Sequence, residues 1–284
     1  PSWVSERRCG YNFGVRAAGI NTYLDIYEMP TKGGCRILNS IKLKHRCIGF
    51  IHDVAATANH LIFFIPPLEQ TNKTLLQIIM GKKSFLNGAQ WKDKEPTEII
   101  VIPIDRPKEV TRFEVDPFFH VHFGNAYEAK GKLIVDYFHS KDDQIFQWLG
   151  EYHKGHSISY HQKHYDDLFN GQNQYSSYHR AEINLETKKM VTRPLLQGAG
   201  EFPRIHPSLQ GSKHRYSYLL NGAESSILEP NGSLFSGLVK YDHNRDEAQV
   251  VKLSDNESPM EPVFVKKKEA RSEDDGYVIG MVYD

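Results

Sequence analysis

The feature that most constrains this chain is its rhythm of short, β-prone runs. Residues 23–27, 36–41, 60–65, 98–104, 132–137, 215–220, 234–241, 262–266 and 277–282 are each rich in Val, Ile, Leu, Tyr or Phe. Gly, Pro, Asn and Asp separate them, as expected between strands. Asn170-Gly171, Asn221-Gly222, Asn231-Gly232 and Asp275-Gly276 read as hairpin turns, and Asp242-His243-Asn244 as another. Many short strands and few helical stretches predict an all-β fold: a sandwich, barrel or propeller. No fixed-period repeat or low-complexity linker divides the chain, so 1–284 reads as one domain.

Two stretches break the rhythm. Residues 74–80 group Leu75, Leu76, Ile78, Ile79 and Met80 ahead of Lys82 and Lys83, and read as one or two helical turns or a sticky loop. Residues 142–165 are polar and His-rich, a long surface excursion. The 35 basic and 35 acidic residues balance, which leaves no electrostatic case for nucleic acid. Three cysteines without a CxxC pair argue against a disulfide framework and a zinc knuckle. The longest apolar stretch, 61–68, is far too short for a membrane span. The chain opens on Pro1 and stops straight after a strand-like run, so it reads as an internal piece of something longer.

Fourteen histidines put metal binding in question. His139, His153, His156, His161, His164, His179, His214 and His243 stand in polar surroundings and read as solvated surface residues. His52 and His122 border apolar segments instead. The His120-x-His122 spacing allows both rings on one strand face, chelating one ion, or only one ring toward a metal. Periodicity leaves that choice open. Glu201 and Glu261 each stand at the threshold of an apolar segment, where a glutamate needs a partner such as the second ring N–H of a metal-bound histidine. His52, His122, Glu201 and Glu261 lie 70, 79 and 60 residues apart. Such intervals would let successive units of a closed ring each deliver one side chain to a common axis.

At these residues the chain resembles the carotenoid cleavage oxygenases. The run from His52-Asp53-Val54 to Phe63-Phe64 is similar to their histidine-Asp segment, and His122-Phe123-Gly124-Asn125-Ala126-Tyr127-Glu128 to their histidine–x–x–Asn–Ala–x–Glu segment. Glu201-Phe202-Pro203-Arg204 resembles their Glu-Phe-Pro segment. Glu261-Pro262 followed by Glu273-Asp274-Asp275-Gly276 resembles their Glu-Pro and Glu-Asp-Asp-Gly pair. Tyr11-Asn12-Phe13-Gly14 leans toward the bacterial apocarotenoid oxygenase branch.

The resemblance implies part of a seven-bladed β-propeller, with loop or helical excursions on one face and a non-haem Fe(2+) held on the axis by four histidines. It makes His52 and His122 two of those ligands, the asparagine register selecting His122 over His120. Glu201 would brace His122, and Glu261 a last histidine that lies beyond Asp284. The first ligand would precede Pro1, the glutamate bracing His52 is absent, and His206 has no ligand role in the family. A free-standing chain with half the shell is therefore expected neither to close its propeller nor to hold iron well.

The implied activity is oxidative cleavage of a carbon–carbon double bond in a carotenoid or apocarotenoid, with O2 as co-substrate. The alternatives are an iron-dependent retinoid isomerohydrolase and a non-catalytic propeller. Phe119, Phe123 and Phe202 read equally as tunnel wall or core. A lipophilic polyene, retinal among the family's products, would be drawn from a membrane. Leu75, Leu76, Ile78, Ile79 and Met80 would then make a peripheral contact at the tunnel mouth. The expected location is a reducing compartment, cytoplasmic or plastid-like, beside a membrane.

Overall fold

Each sheet takes its strands from one consecutive stretch of chain, so local hairpins build nearly the whole architecture. The computed structural model describes residues 1–19, 21–44, 51–83, 88–144, 176–196, 200–222, 235–254 and 257–283. The first sheet joins β1 (Ser2–Val4), β2 (Cys9–Ala18), β3 (Asn21–Pro30) and β4 (Arg36–Lys42) in that order. The second joins β5 (Ala55–Ala56) and β6 (His60–Ile65) to two later strands, after an excursion. That excursion holds β7 (Leu68–Glu69), α1 (Asn72–Ile79) and β8 (Gln90–Trp91), and then β9 (Thr97–Pro103) and β10 (Thr111–Val115) complete the sheet.

The third sheet is β11 (Phe123–Ala129), β12 (Lys132–His139), β13 (Ser177–Asn184) and β14 (Lys189–Leu196). The fourth is β15 (Gly200–Arg204), β16 (Tyr216–Gly222), β17 (Phe235–Asp242) and β18 (Glu247–Lys252). β19 (Ser258–Pro259), β20 (Val263–Lys266), β21 (Gly276–Ile279) and β22 (Val282–Tyr283) pair as β19–β22 and β20–β21.

The sheets stack face to face, and the apolar pattern shows it. In β6, Leu61, Phe63 and Ile65 enter a core shared with the first sheet, while Ile62 and Phe64 enter one shared with the third. In β9, Ile100 and Ile102 take the first core, and Ile99 and Val101 the second. Both faces are dry, so these strands read as continuous apolar runs rather than as alternation. Phe138, Tyr178, Leu219 and Val239 then join the third sheet to the fourth, and Tyr216, Tyr218 and Phe264 join the fourth to β20. Radial stacking of four-stranded meanders is propeller architecture.

The opening strands β1, β5, β11 and β15 lie side by side along the inside of the stack. Strands alternate in direction, so the second-to-third connections of the second and third sheets leave from the face where β5 and β11 begin. α1 belongs to that face. Thr71 caps it, its Oγ1 accepting from the Thr74 N–H at 3.1 Å. Two expected turns differ in the structure. Asn221-Gly222 lies inside β16, paired with Gly237 and Phe235, because the strand continues through it. Gly276 opens β21 rather than ending the turn before it. Asn170-Gly171, Asn231-Gly232 and most of 142–165 lie outside the described residues.

Candidate metal centre

His52 lies just ahead of β5 and His122 directly ahead of β11, while Glu201 is the second residue of β15. Neighbouring inner strands thus present these three side chains at one end of the stack. The imidazoles of His52 and His122 meet edge to face, with ring centroids 4.8 Å apart. Glu201 Oε2 accepts from His122 Nδ1 at 2.8 Å. The proton therefore sits on Nδ1, and the Nε2 lone pair is left free, as a metal ligand requires. Burial first and the neighbouring His122 second hold the His52 pKa below the ordinary imidazole value, although solvent still reaches part of the ring.

Local backbone geometry aims Glu201. The β15–β16 register shifts between Glu201 and Arg204, and Phe202 adopts φ +56°, the left-handed region that a bulky residue seldom occupies. The bulge lets Glu201 reach His122 while the Phe202 ring lies 4.9 Å from it. The Phe202 N–H also donates to Glu201 Oε2 at 3.1 Å. Strain of about 1–3 kcal/mol at such a residue is typical of functional sites. Glu261 pairs with Arg204. A small cavity of about 50 Å³ is lined by Asp53, Ala56, Phe123, Asn125 and Arg204 among others, and by neither imidazole.

The remaining motif residues brace strands. Glu128 accepts from Thr57 Oγ1 at 2.6 Å, Asn59 Nδ2 at 3.1 Å and His60 Nδ1 at 3.0 Å, tying the far end of β11 to the β5–β6 turn. Glu273 accepts from the N–H groups of Arg215 and Tyr216 at the entry to β16. His120 does not share a face with His122. It is buried among Phe64, Phe118 and Phe123, its ring nitrogens have no hydrogen-bond partner among the described residues, and burial pushes its pKa down to about 3. Phe119 and Phe123 are buried as well, Phe123 packing on Phe64 in the core.

A second histidine cluster corrects the sequence reading. His214 and His243 are not solvated: both side chains are buried between the third and fourth sheets. His139 and His179 are not free surface groups either, since their rings stack 4.7 Å apart. His153, His156, His161 and His164 lie outside the described residues. Asp136, wholly buried in β12, receives Arg180 in a fork at 2.7 and 2.8 Å. Burial alone would raise the Asp136 pKa, but Arg180 overrides it and holds the carboxylate below its usual range.

Asp136, His214 and His243 bring ligand atoms within 4.8 Å of one another, so a metal must be tested here too. The hydrogen-bond partners argue against it. His214 Nδ1 accepts from Asn125 Nδ2 at 2.9 Å, and His243 Nδ1 accepts from Arg180 Nη2 at 3.0 Å. The Asn125 amide orientation is fixed, because its Oδ1 accepts from the Gly211 N–H at 3.1 Å. Each imidazole's proton then falls on Nε2, where His214 and His243 lie 3.1 Å apart and share the Ser217 hydroxyl, so neither offers a free Nε2 lone pair. His243 Nε2 donates to Ser217 Oγ at 2.8 Å, and Arg180 already neutralises Asp136. The cluster is a hydrogen-bonded staple between two sheets. Gly124 serves it as well, since a Cβ there would lie 2.4 Å from the Tyr178 hydroxyl that bonds Ser217.

The family profile of the retinal pigment epithelial membrane protein matches residues 1–284. Apocarotenoid-15,15'-oxygenase of Synechocystis is 25% identical over 277 residues, covering 97% of this chain and 51% of that protein. Torulene dioxygenase of Fusarium fujikuroi is 39% identical over 304 residues, covering 96% and 50%. The crystal structure of cobalt-substituted Synechocystis apocarotenoid oxygenase superposes with a TM-score of 0.75 at 20% identity, over 97% of this chain and 52% of that one. The fold is therefore that of the family's propeller, and the chain spans about half the length of the curated relatives it matches.

Proposed function

The chain belongs to the retinal pigment epithelial membrane protein family, and from that premise we propose that it supplies half of a four-histidine Fe(2+) centre. The whole protein would be a dioxygenase that cleaves a double bond of a carotenoid or apocarotenoid. The observation carrying this reading is the His122–Glu201 pair with the His52 ring beside it at the inner end of the stack. Neutral imidazoles suit a ferrous ion, and the donor set fits: Glu201 leaves His122 Nε2 free, and the His52 ring lies beside it. When bound, the ion would activate O2, whose two atoms end in the two carbonyl products.

This chain's own part is to hold, orient and exclude water. Glu201 fixes the His122 tautomer and raises its basicity. Phe202, against His122, presents an apolar wall to a substrate that has no charge to grip. Glu261 would be reserved for a histidine outside this sequence, with Arg204 holding it meanwhile. In the full-length protein, both product carbonyls should carry label from ¹⁸O2; unlabelled product would favour isomerohydrolase chemistry instead.

Lipophilic polyenes lie in membranes, and α1 supports a peripheral contact there. It buries Thr74 and exposes Leu76 (58%), Ile79 (81%) and Met80 (54%), with Leu75 and Ile78 half-buried and Lys82 and Lys83 alongside. An apolar face turned outward beside lysines suits a lipid interface. Replacing Leu76 and Ile79 with Ser should release the full-length protein from liposomes; unchanged flotation would contradict the contact. Free Cys9 and Cys35 support a reducing compartment, cytoplasmic or plastid-like.

A further inference from the structure

β5 and β11 belong to different sheets, so no strand ladder fixes their relative height. Glu128 ties their far ends together. At the near end, beside the two imidazoles, the tie is Asp53. Its Oδ2 accepts from the N–H of Phe123 at 2.9 Å, and its Oδ1 accepts from the N–H of Val54 at 2.8 Å. Val54 is two residues beyond His52, and Phe123 directly follows His122. One carboxylate thus grips the backbone beside each ring. Both oxygens are already engaged, which suits a clamp rather than a ligand. Arg204, on the same cavity, supplies a compensating positive charge.

We propose that Asp53 is a positioning residue that sets the separation and tilt of the His52 and His122 imidazoles. The proposal rests on the reading of those two histidines as ligands of one ion. A backbone clamp next to a ligand constrains that ligand as a hydrogen bond to its ring would, by limiting where the donor atom can stand.

The test uses the full-length protein loaded with Co(2+), read by cobalt affinity and by the visible absorption of the bound ion. Asp53→Ala should weaken cobalt binding about 10-fold and shift the absorption bands. Asp53→Asn keeps an oxygen able to accept from Phe123 and should restore most of both. Should Asp53→Ala fail to fold, Asp53→Ser takes its place, its short hydroxyl reaching Val54 but not Phe123. Wild-type affinity and spectrum in the alanine or serine variant would overturn the proposal. So would weaker binding in proportion to lost folded protein, with an unshifted spectrum. If the unsubstituted protein takes up no cobalt, the two-ligand reading fails and the proposal falls with it.

Discussion

Two histidine clusters in this chain use the same chemistry to opposite ends. At the inner strand ends, His122 gives its Nδ1 proton to Glu201, keeps Nε2 free, and stands where solvent and ligand can reach it. Between the third and fourth sheets, His214 and His243 accept on Nδ1 from Asn125 and Arg180, and their Nε2 protons face neighbouring groups. In the proposed reading, proximity of ligand-type atoms does not by itself make a metal site; the partner of the other ring nitrogen separates the two clusters. A carboxylate there prepares a ligand, whereas a donor there makes a staple.

The contrast breaks most sharply at Asp136. Asp136→Ala leaves the Arg180 guanidinium buried and unpaired, and should cost about 3–5 kcal/mol of stability while leaving cobalt affinity per folded molecule unchanged. Chemical unfolding of the full-length protein, with metal titration of its folded fraction, measures both. Glu201→Gln should do the reverse, weakening metal binding about 10–100-fold with little change in unfolding midpoint. If each variant moved both quantities alike, the two clusters would not be functionally separate.

Acid should sharpen the same distinction. Burial is the main cause that holds His214 below its ordinary pKa and pushes His243 down to about 3. Between 6.5 and about 3, the unfolded chain binds a proton that folded His243 refuses, and the depressed His214 acts in the same direction. Their contribution is therefore complete above pH 6.5 and is progressively lost as the pH falls. The depressed Asp136 pKa acts in the same direction at still lower pH. Stability measured from pH 7 to 4 should fall, and His243→Asn should flatten the slope; an unchanged slope would remove His243 from the account. The smallest effect belongs to Ser217→Ala, which deletes the hydroxyl joining His243 to Tyr178 and should cost about 1–2 kcal/mol, with metal binding unaltered.

The two clusters also differed in how plainly the sequence showed them. His52, His122 and Glu201 are legible because each marks the opening of a successive inner strand, so motif order translates directly into neighbourhood. The strands 60–65 and 98–104 were legible because burial on both faces leaves an unbroken apolar run, and β6 and β9 follow them closely. β13 and β14 are not legible in the sequence. Their residues His179, Arg180, Lys189 and Arg193 look like surface, although Tyr178, Ala181 and Ile183 are fully buried. The staple is not legible for the same reason: its members stand in polar segments far apart in the chain and meet only when the third and fourth sheets stack. One signal was available. Asp136 follows Leu133, Ile134 and Val135 in a buried strand, and a carboxylate there requires a cation such as Arg180, its cross-strand partner.

The most direct measurement is an anomalous difference map, at the cobalt edge, from crystals of the full-length protein soaked with Co(2+). One ion is expected about 2.1 Å from the Nε2 atoms of both His52 and His122, and none between Asp136, His214 and His243. An ion in the Asp136 cluster, or density that touches His122 but not His52, would contradict that placement.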